Sequence, residues 1–161
     1  MQTLNNIIEK NTQRAEVCSQ VRAIVRYADP STWPIADAVF KLLQANHINY
    51  KDEGLEIGMI LVGDAGPSAA IQSVAESVQA GRISPMHFAA ANAGAAIGIC
   101  CTAFNFHGPT LAITLPVKTG KSIAEMMASR WLNDKSAKIM IIVTYENIDG
   151  EISANASLNT E

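Results

Sequence analysis

One stretch of this chain, residues 83–116, carries most of the information about its fold, and it reads ISPMHFAAANAGAAIGICCTAFNFHGPTLAITLP. It combines a Ser-Pro loop, a predicted helix of small residues (86–104), a Gly-Pro turn and a predicted strand (111–115). Gly94 and Gly98 each cost a helix about 1 kcal/mol relative to alanine. That loss is tolerable where another backbone approaches closely, so we expect this helix to lie between layers or at a subunit interface. A well-packed core helix would have much the same composition.

Strands and helices alternate along the chain on both sides of this stretch. Two predicted strands, residues 55–62 (LEIGMILV) and 138–145 (KIMIIVTY), are apolar at most positions, which is typical of strands covered on both faces. Apolar residues recur at helical spacing in residues 35–46, 68–80 and 122–132. The alternation indicates an α/β layer fold.

The two ends of the chain give weaker signals. Apolar positions in residues 4–25 have helical spacing, although a polar run interrupts them and residues 22–27 could instead form a short strand. Residues 149–161 are polar, and we predict that they form a disordered or loosely attached tail. The expected organisation is one domain, residues 1–148, followed by this tail.

Composition excludes several classes of protein. The chain has 161 residues, 48% of them hydrophobic and 17% charged, which is enough for one globular core. A net charge of −3 without a basic cluster argues against nucleic acid as the main partner. No apolar run is long enough to span a membrane, and the N-terminus has no signal-peptide pattern, so we expect a cytoplasmic protein. The low charge suggests that a partner covers some apolar surface, although a well-buried monomer would have the same composition.

The cysteines do not form a recognisable framework. Cys18, Cys100 and Cys101 are odd in number and two are adjacent, which argues against disulfides. Neither Cys-x-x-Cys nor His-x-x-x-His spacing occurs, so we predict no metal and no other cofactor. Because Cys100 and Cys101 lie in an apolar helix, we expect them to be structural rather than reactive.

Several motifs resemble those of the N-terminal half of β-ketoacyl synthases, which belong to the thiolase-like superfamily. They are IGMILVGDAG (residues 57–66), Ile83-Ser84-Pro85, Gly98 within the small-residue helix, and Gly108-Pro109-Thr110 before the strand. Their order and spacing carry a resemblance over residues 37–145. It implies a thiolase-like half-fold: a mixed sheet covered by helices, with a buried small-residue central helix.

The same resemblance places the family's nucleophilic cysteine at Val117, directly after Thr114-Leu115-Pro116. Valine has no nucleophilic atom, so the acyl-thioester step cannot occur there. The family's catalytic histidines come from its C-terminal half, which the resemblance does not reach, and His47, His87 and His107 therefore receive no catalytic role. We predict no catalytic residue, and the chain is expected not to be an enzyme.

The resemblance also implies how the protein works. Thiolase-like subunits dimerise by pairing one strand, which here corresponds to Thr110, Leu111, Ala112, Ile113, Thr114 and Leu115. The implied partner is a second copy or a full-length ketosynthase, with an acyl carrier protein as a further candidate. The implied function is that of a catalytically inactive accessory subunit in polyketide or fatty-acid-type biosynthesis, comparable to a chain length factor.

A different class of function stays open. The half-fold could serve a small ligand-binding protein or an acyl-transfer enzyme, in which Asp64, Ser84, His87 and His107 surround a pocket. Nothing in the spacing of these four residues requires it, and fold alone does not determine function.

Overall fold

The structure is a computed structural model that describes residues 2–10, 28–53, 56–82 and 84–160. These residues form a mixed sheet of five strands with helices on both faces. The strands are β1 (Gln2–Lys10), β2 (Ile57–Val62), β3 (Thr110–Ile113), β4 (Ile139–Ile148) and β5 (Glu151–Thr160). The helices are α1 (Thr32–Ala45), α2 (Tyr50–Glu53), α3 (Ser68–Gln79), α4 (Pro85–Ala90), α5 (Ala95–Phe104) and α6 (Val117–Asn133). The predicted α/β class is confirmed.

The sheet has the strand order β1-β5-β4-β2-β3. Strand β2 is parallel to both of its neighbours, and β5 is antiparallel to both of its own. Val62 is in register with Ile113 of β3 and Thr144 of β4, so the parallel strands reach the same end of the sheet together. We call this end the carboxyl edge.

Helices cover the central strands on both faces, as the continuous apolar pattern predicts. Every residue of β2 is buried. On one face α1 and α5 pack over the sheet through side chains that include Ile35, Leu42 and Phe104. On the other face α6 packs through Ala124, Ala128 and Leu132. The sheet therefore separates two apolar layers.

The predicted small-residue helix is interrupted, so the prediction of one continuous helix over residues 86–104 is wrong. Helices α4 and α5 are separated by a turn, in which the side-chain oxygen of Asn92 accepts a hydrogen bond from the N–H of Gly94 at 2.7 Å. An asparagine that bonds the backbone two residues ahead offers an alternative to helical hydrogen bonding, and this favours a turn. The helix after the turn buries Ala96, Ile97, Cys100 and Phe104 on one side only.

Gly98 does not serve a close approach within the described part of the chain. It lies on the exposed side of α5, and a Cβ built on it would meet no atom within 4 Å. A Cβ on Gly94 would meet only the side-chain oxygen of its neighbour Asn92, at 3.2 Å. The expectation that these glycines admit another backbone is therefore not fulfilled within the chain, and a role at a subunit interface stays a prediction.

The first residues form a strand, so the helix predicted from residue 4 is wrong at its start. Strand β1 pairs antiparallel with β5 over its whole length, with a register shift between Leu4 and Asn6. Strand β5 offers an extended partner along this segment, and tertiary pairing overrides a weak helical spacing. The rest of that prediction, including the alternative strand at 22–27, lies outside the described residues, as does Cys18.

The predicted disordered tail is also wrong. Residues 151–160 form β5, which lies between β4 and β1. Ala154, Ala156 and Leu158 alternate along it and pack into the core beneath α1, while Ser157 and Asn159 are buried on the opposite face. Small and polar residues make this strand look like a tail in the sequence, but its period of two matches a half-buried strand. The C-terminal residues therefore belong to the same sheet as the rest.

Candidate functional site

The carboxyl edge gathers the residues that the sequence singled out after the parallel strands. Strand β2 leads into residues 63–67, which we call the β2 loop, and β3 leads through residues 114–116 into α6. The connection from β2 to β3 runs through α5 on one face of the sheet, whereas the connection from β3 to β4 runs through α6 on the other. Open α/β sheets bind ligands in the crevice where connections diverge in this way. The crevice between β2, β3 and β4 is therefore the candidate functional site.

Val117 begins helix α6, five residues before the predicted start of this helix at residue 122. The strand β3 ends earlier than predicted, at Ile113, and the carbonyl of Pro116 accepts the N–H groups of Thr119 and Gly120, both at 2.9 Å. Val117 therefore lies at the positive end of a helix of 17 residues. Such a position lowers the pKa of a cysteine, but a valine can neither ionise nor attack.

Tyr145 fills the crevice from the end of β4. Its side chain is 5% exposed, and its ring lies so close to Gly63 that a Cβ on that glycine would overlap it. Burial raises the pKa of Tyr145 to about 12, and the carboxylates of Asp29 and Asp64 add to the shift. At neutral pH the phenol is therefore protonated.

Asp29 is a buried carboxylate beside this crevice that the sequence analysis missed. One of its oxygens accepts hydrogen bonds from the N–H and hydroxyl of Ser31, at 2.9 and 2.6 Å. The other accepts the N–H of Ala70 in the first turn of α3, at 2.9 Å. A carboxylate at a helix N-terminus is stabilised by the free N–H groups there. Asp29 thus joins the start of α1 to the start of α3.

The four residues of the alternative pocket do not form one site. His87 lies beside Asp29 and Ser73 in the lining of an open cavity of about 210 Å³. Asp64 is exposed in the β2 loop, and Ser84 precedes α4. His107 is exposed before β3, at the end of the sheet opposite the carboxyl edge, with its Nε2 2.8 Å from the side-chain oxygen of Asn105.

The other histidine and the adjacent cysteines lie away from the crevice. His47 is exposed after α1. Cys100 is fully buried, and burial raises the pKa of the Cys101 thiol to about 11, so that thiol is protonated at neutral pH. This agrees with a structural role for both. No group of three or more potential metal-binding side chains occurs among the residues that the structure describes.

Strand β3 forms one edge of the sheet and pairs only with β2 within the described residues. The carbonyls of Pro109 and Ile113 accept the N–H groups of Met59 and Gly63, at 3.0 and 3.1 Å. Because residues of a strand alternate in hydrogen-bonding direction, the N–H and carbonyl of Ala112 point away from β2. Of the six residues of the predicted association strand, Thr114 and Leu115 lie beyond the end of β3.

No helix in the described ranges has the length and apolar character needed to cross a membrane.

Comparisons with known proteins relate this fold to ketosynthase assemblies. No family model and no curated protein matches the chain. A solved structure of a ketosynthase in complex with its chain length factor, from Xenorhabdus doucetiae, matches 87% of this chain with a TM-score of 0.64 and 11% identity. A type II polyketide synthase acyl carrier protein in complex with its ketosynthase matches 92% with a TM-score of 0.68 and 14% identity. The ishigamide ketosynthase/chain length factor matches 66% with a TM-score of 0.58 and 12% identity.

These matches confirm the predicted fold, a mixed sheet covered by helices like that of the thiolase-like ketosynthases. At such low identity they establish the fold alone. The chain spans 61%, 51% and 36% of the length of the matched chains in the order given above. It therefore corresponds to only a part of each of them.

Proposed function

We propose that this protein is a catalytically inactive, ketosynthase-like accessory subunit that acts by association in polyketide or fatty-acid-type biosynthesis. The observation that carries the proposal is the shared fold, because the matched structures contain ketosynthases with a chain length factor or an acyl carrier protein. The proposed partner is a full-length ketosynthase, or a second copy of the chain.

The residue at the start of α6 supports the absence of catalysis. In the proposed equivalence, Val117 stands where a ketosynthase carries its nucleophile. The helix would favour an ionised thiol at this position, but the isopropyl group of valine has nothing to ionise. The described cysteines, Cys100 and Cys101, belong to α5 and not to α6.

The free edge of β3 supports association. Its outward N–H and carbonyl groups are available to another strand, and an unpaired edge is a common template for pairing. The turn between α4 and α5 lies beside β3, since Ala93 of the turn and Ala112 of β3 line the same small void. Two helices next to that turn expose large apolar side chains: Ile71, Val78, Met86 and Phe88 are 50–70% exposed.

Helix α6 offers a different kind of surface. Its outward residues include Lys118, Lys121 and Arg130, all exposed, and Lys121 lies 4.0 Å from the carboxylate of Glu125. A surface of this composition is typical of a solvated helix face. Met126 is also 63% exposed on α6, but α3 and α4 together expose four large apolar side chains. We therefore assign association to β3 and the apolar surface of α3 and α4, rather than to α6.

The test is sedimentation velocity on the chain alone and mixed with a full-length ketosynthase from the same organism. We expect a dimer or a stable mixed complex for the wild type. Ala112→Pro removes an N–H that points outward, so it should abolish association while leaving the pairing with β2 intact. Ala112→Val, which keeps the N–H and favours a strand, is the matched control and should associate like the wild type.

Two results would overturn the proposal. One is a wild-type chain that stays monomeric alone and in the mixture at micromolar concentration. The other is transfer of an acyl group from an acyl thioester onto the isolated chain, detected as a mass increase, since a crevice with no cysteine among its described residues should remain unmodified.

A further inference from the structure

Asp29 also lines a second, larger cavity, which shares no other lining residue with the crevice at the carboxyl edge. This cavity is open to solvent and has a volume of about 210 Å³. Its walls come from residues 28–30 before α1, from the first half of α3 and from α4. The cavity has room because most of its lining side chains are small: Ala28, Pro30, Ala69, Ala70 and Ala90. Since an apolar cavity of about 150 Å³ binds benzene, this one can hold a molecule of that size or slightly larger.

Polar side chains from each of the three walls are interspersed among these small residues. They are the carboxylate of Asp29, the hydroxyl of Ser73 on α3 and the imidazole of His87 on α4. Residues so far apart in the chain are brought together by the fold and not by one local motif. A mostly apolar lining with a few convergent polar groups is typical of small-molecule sites.

The carboxylate of Asp29 indicates which class of ligand fits. It is 5% exposed, and its two oxygens offer about four acceptor sites. Ser31 uses two sites on one oxygen, and the N–H of Ala70 uses one on the other, which leaves a site on that second oxygen. None of the lining residues is a lysine or an arginine, so the described wall carries a negative charge without a cationic side chain. Such a wall favours a cation that donates a hydrogen bond.

We propose that this cavity binds a small organic ammonium ion, whose N–H donates to the carboxylate of Asp29 and whose apolar body lies against the alanines. The hydroxyl oxygen of Ser73 can accept a second N–H of the same ammonium group. This site goes beyond the proposed function, because it belongs to the single chain. A chain that associates with no ketosynthase would still bind the ion, and the two proposals can therefore fail separately.

The test is titration of the isotope-labelled full chain with benzylammonium chloride, followed by NMR of the backbone amides. We expect saturable shifts centred on the amides of Ala70, Ser73 and His87, with a Kd of about 0.1–10 mM. Benzyl alcohol has nearly the same shape without the charge. It should bind about tenfold more weakly, since a hydrogen bond to a charged group is stronger than one between neutral groups.

Two substitutions on α3 separate the cavity from the rest of the surface. Ala69 and Ala75 are both exposed, but of the two only Ala69 lines the cavity. Ala69→Leu should fill the cavity and weaken binding by about tenfold or more, whereas Ala75→Leu should bind like the wild type. Leucine and alanine are both good helix formers, so both variants should fold. Absence of saturable shifts in the wild type, equal affinity for benzyl alcohol, or undiminished binding by Ala69→Leu would overturn the proposal.

Discussion

The carboxylate of Asp29 accepts a hydrogen bond from the backbone N–H of Ala70, although 41 positions separate the two residues in the chain. Ala70 is in the first turn of α3 and is the only buried residue of that helix. This contact therefore holds a largely exposed helix to the start of α1. It also places a negative charge where the free N–H groups of α3 favour one.

The first prediction concerns this contact. Asp29→Ala removes the acceptor for Ala70 and for Ser31, leaving buried donors without a partner, and should lower the free energy of unfolding by about 1–3 kcal/mol. The measurement is urea denaturation followed by circular dichroism. Asp64→Ala is the matched control, because Asp64 is an exposed carboxylate at the same edge, and its effect should stay within about 0.5 kcal/mol. Equal effects of the two substitutions would contradict the role of Asp29.

The second prediction compares two glycines. A Cβ at Gly63 would overlap the ring of Tyr145, so Gly63→Ala should destabilise the protein by about 1–3 kcal/mol. Gly98 lies inside α5 with open space around it, so Gly98→Ala should stabilise the fold by about 0.5–1 kcal/mol. Thermal and urea unfolding of both variants give the comparison.

The Gly98 variant also tests the interface interpretation of that helix. If a partner backbone packs against Gly98, then Gly98→Ala should weaken association in sedimentation velocity even though the isolated chain becomes more stable. An unchanged association constant would show that Gly98 is exposed to solvent in the complex, as it is in the isolated chain, and does not lie at the interface.

The third prediction follows from the raised pKa of Tyr145. The unfolded phenol has a pKa of about 10, and the folded one has a pKa of about 12, so the folded state holds this proton to higher pH. The resulting stabilisation is complete below pH 10 and is lost as the pH rises through 12. Between these limits the wild type should lose up to about 3 kcal/mol more than Tyr145→Phe, which has no proton to release. Parallel slopes for the two proteins in urea denaturation between pH 9 and 12 would count against this.

The sequence was informative where a pattern is local. Strand β2 and the first half of β4 could be predicted because nearly every one of their residues is apolar. Ile60 and Ile142 face α6, whereas their neighbours Met59 and Ile141 face the layer of α1 and α5. The start of α6 could only be placed approximately, because the apolar spacing begins at Ile123, whereas the carbonyl of Pro116 fixes the first turn.

The crevice could be predicted only in part. The resemblance identified the β2 loop and Val117, since both directly follow apolar strands. It gave no sign of Tyr145 as a neighbour of the β2 loop, because the two are 80 positions apart in the chain and meet only through the pairing of β2 with β4. The pairing of its ring with Gly63 depends on the parallel register of β2 and β4, which no local pattern contains.

The last prediction concerns the C-terminal strand, whose composition concealed it. Removal of residues 149–161 deletes the strand between β4 and β1, and with it the buried side chains of Ala154, Ala156 and Leu158. Those side chains pack beneath α1, β1 loses its one partner among the described strands, and β4 loses one of its two, so the truncated chain should not fold. Circular dichroism and a cooperative thermal transition provide the measurement, and removal of residue 161 alone is the control, since it leaves β5 complete. A truncated chain that unfolds cooperatively at the temperature of the full chain would show that the polar residues are a dispensable tail after all.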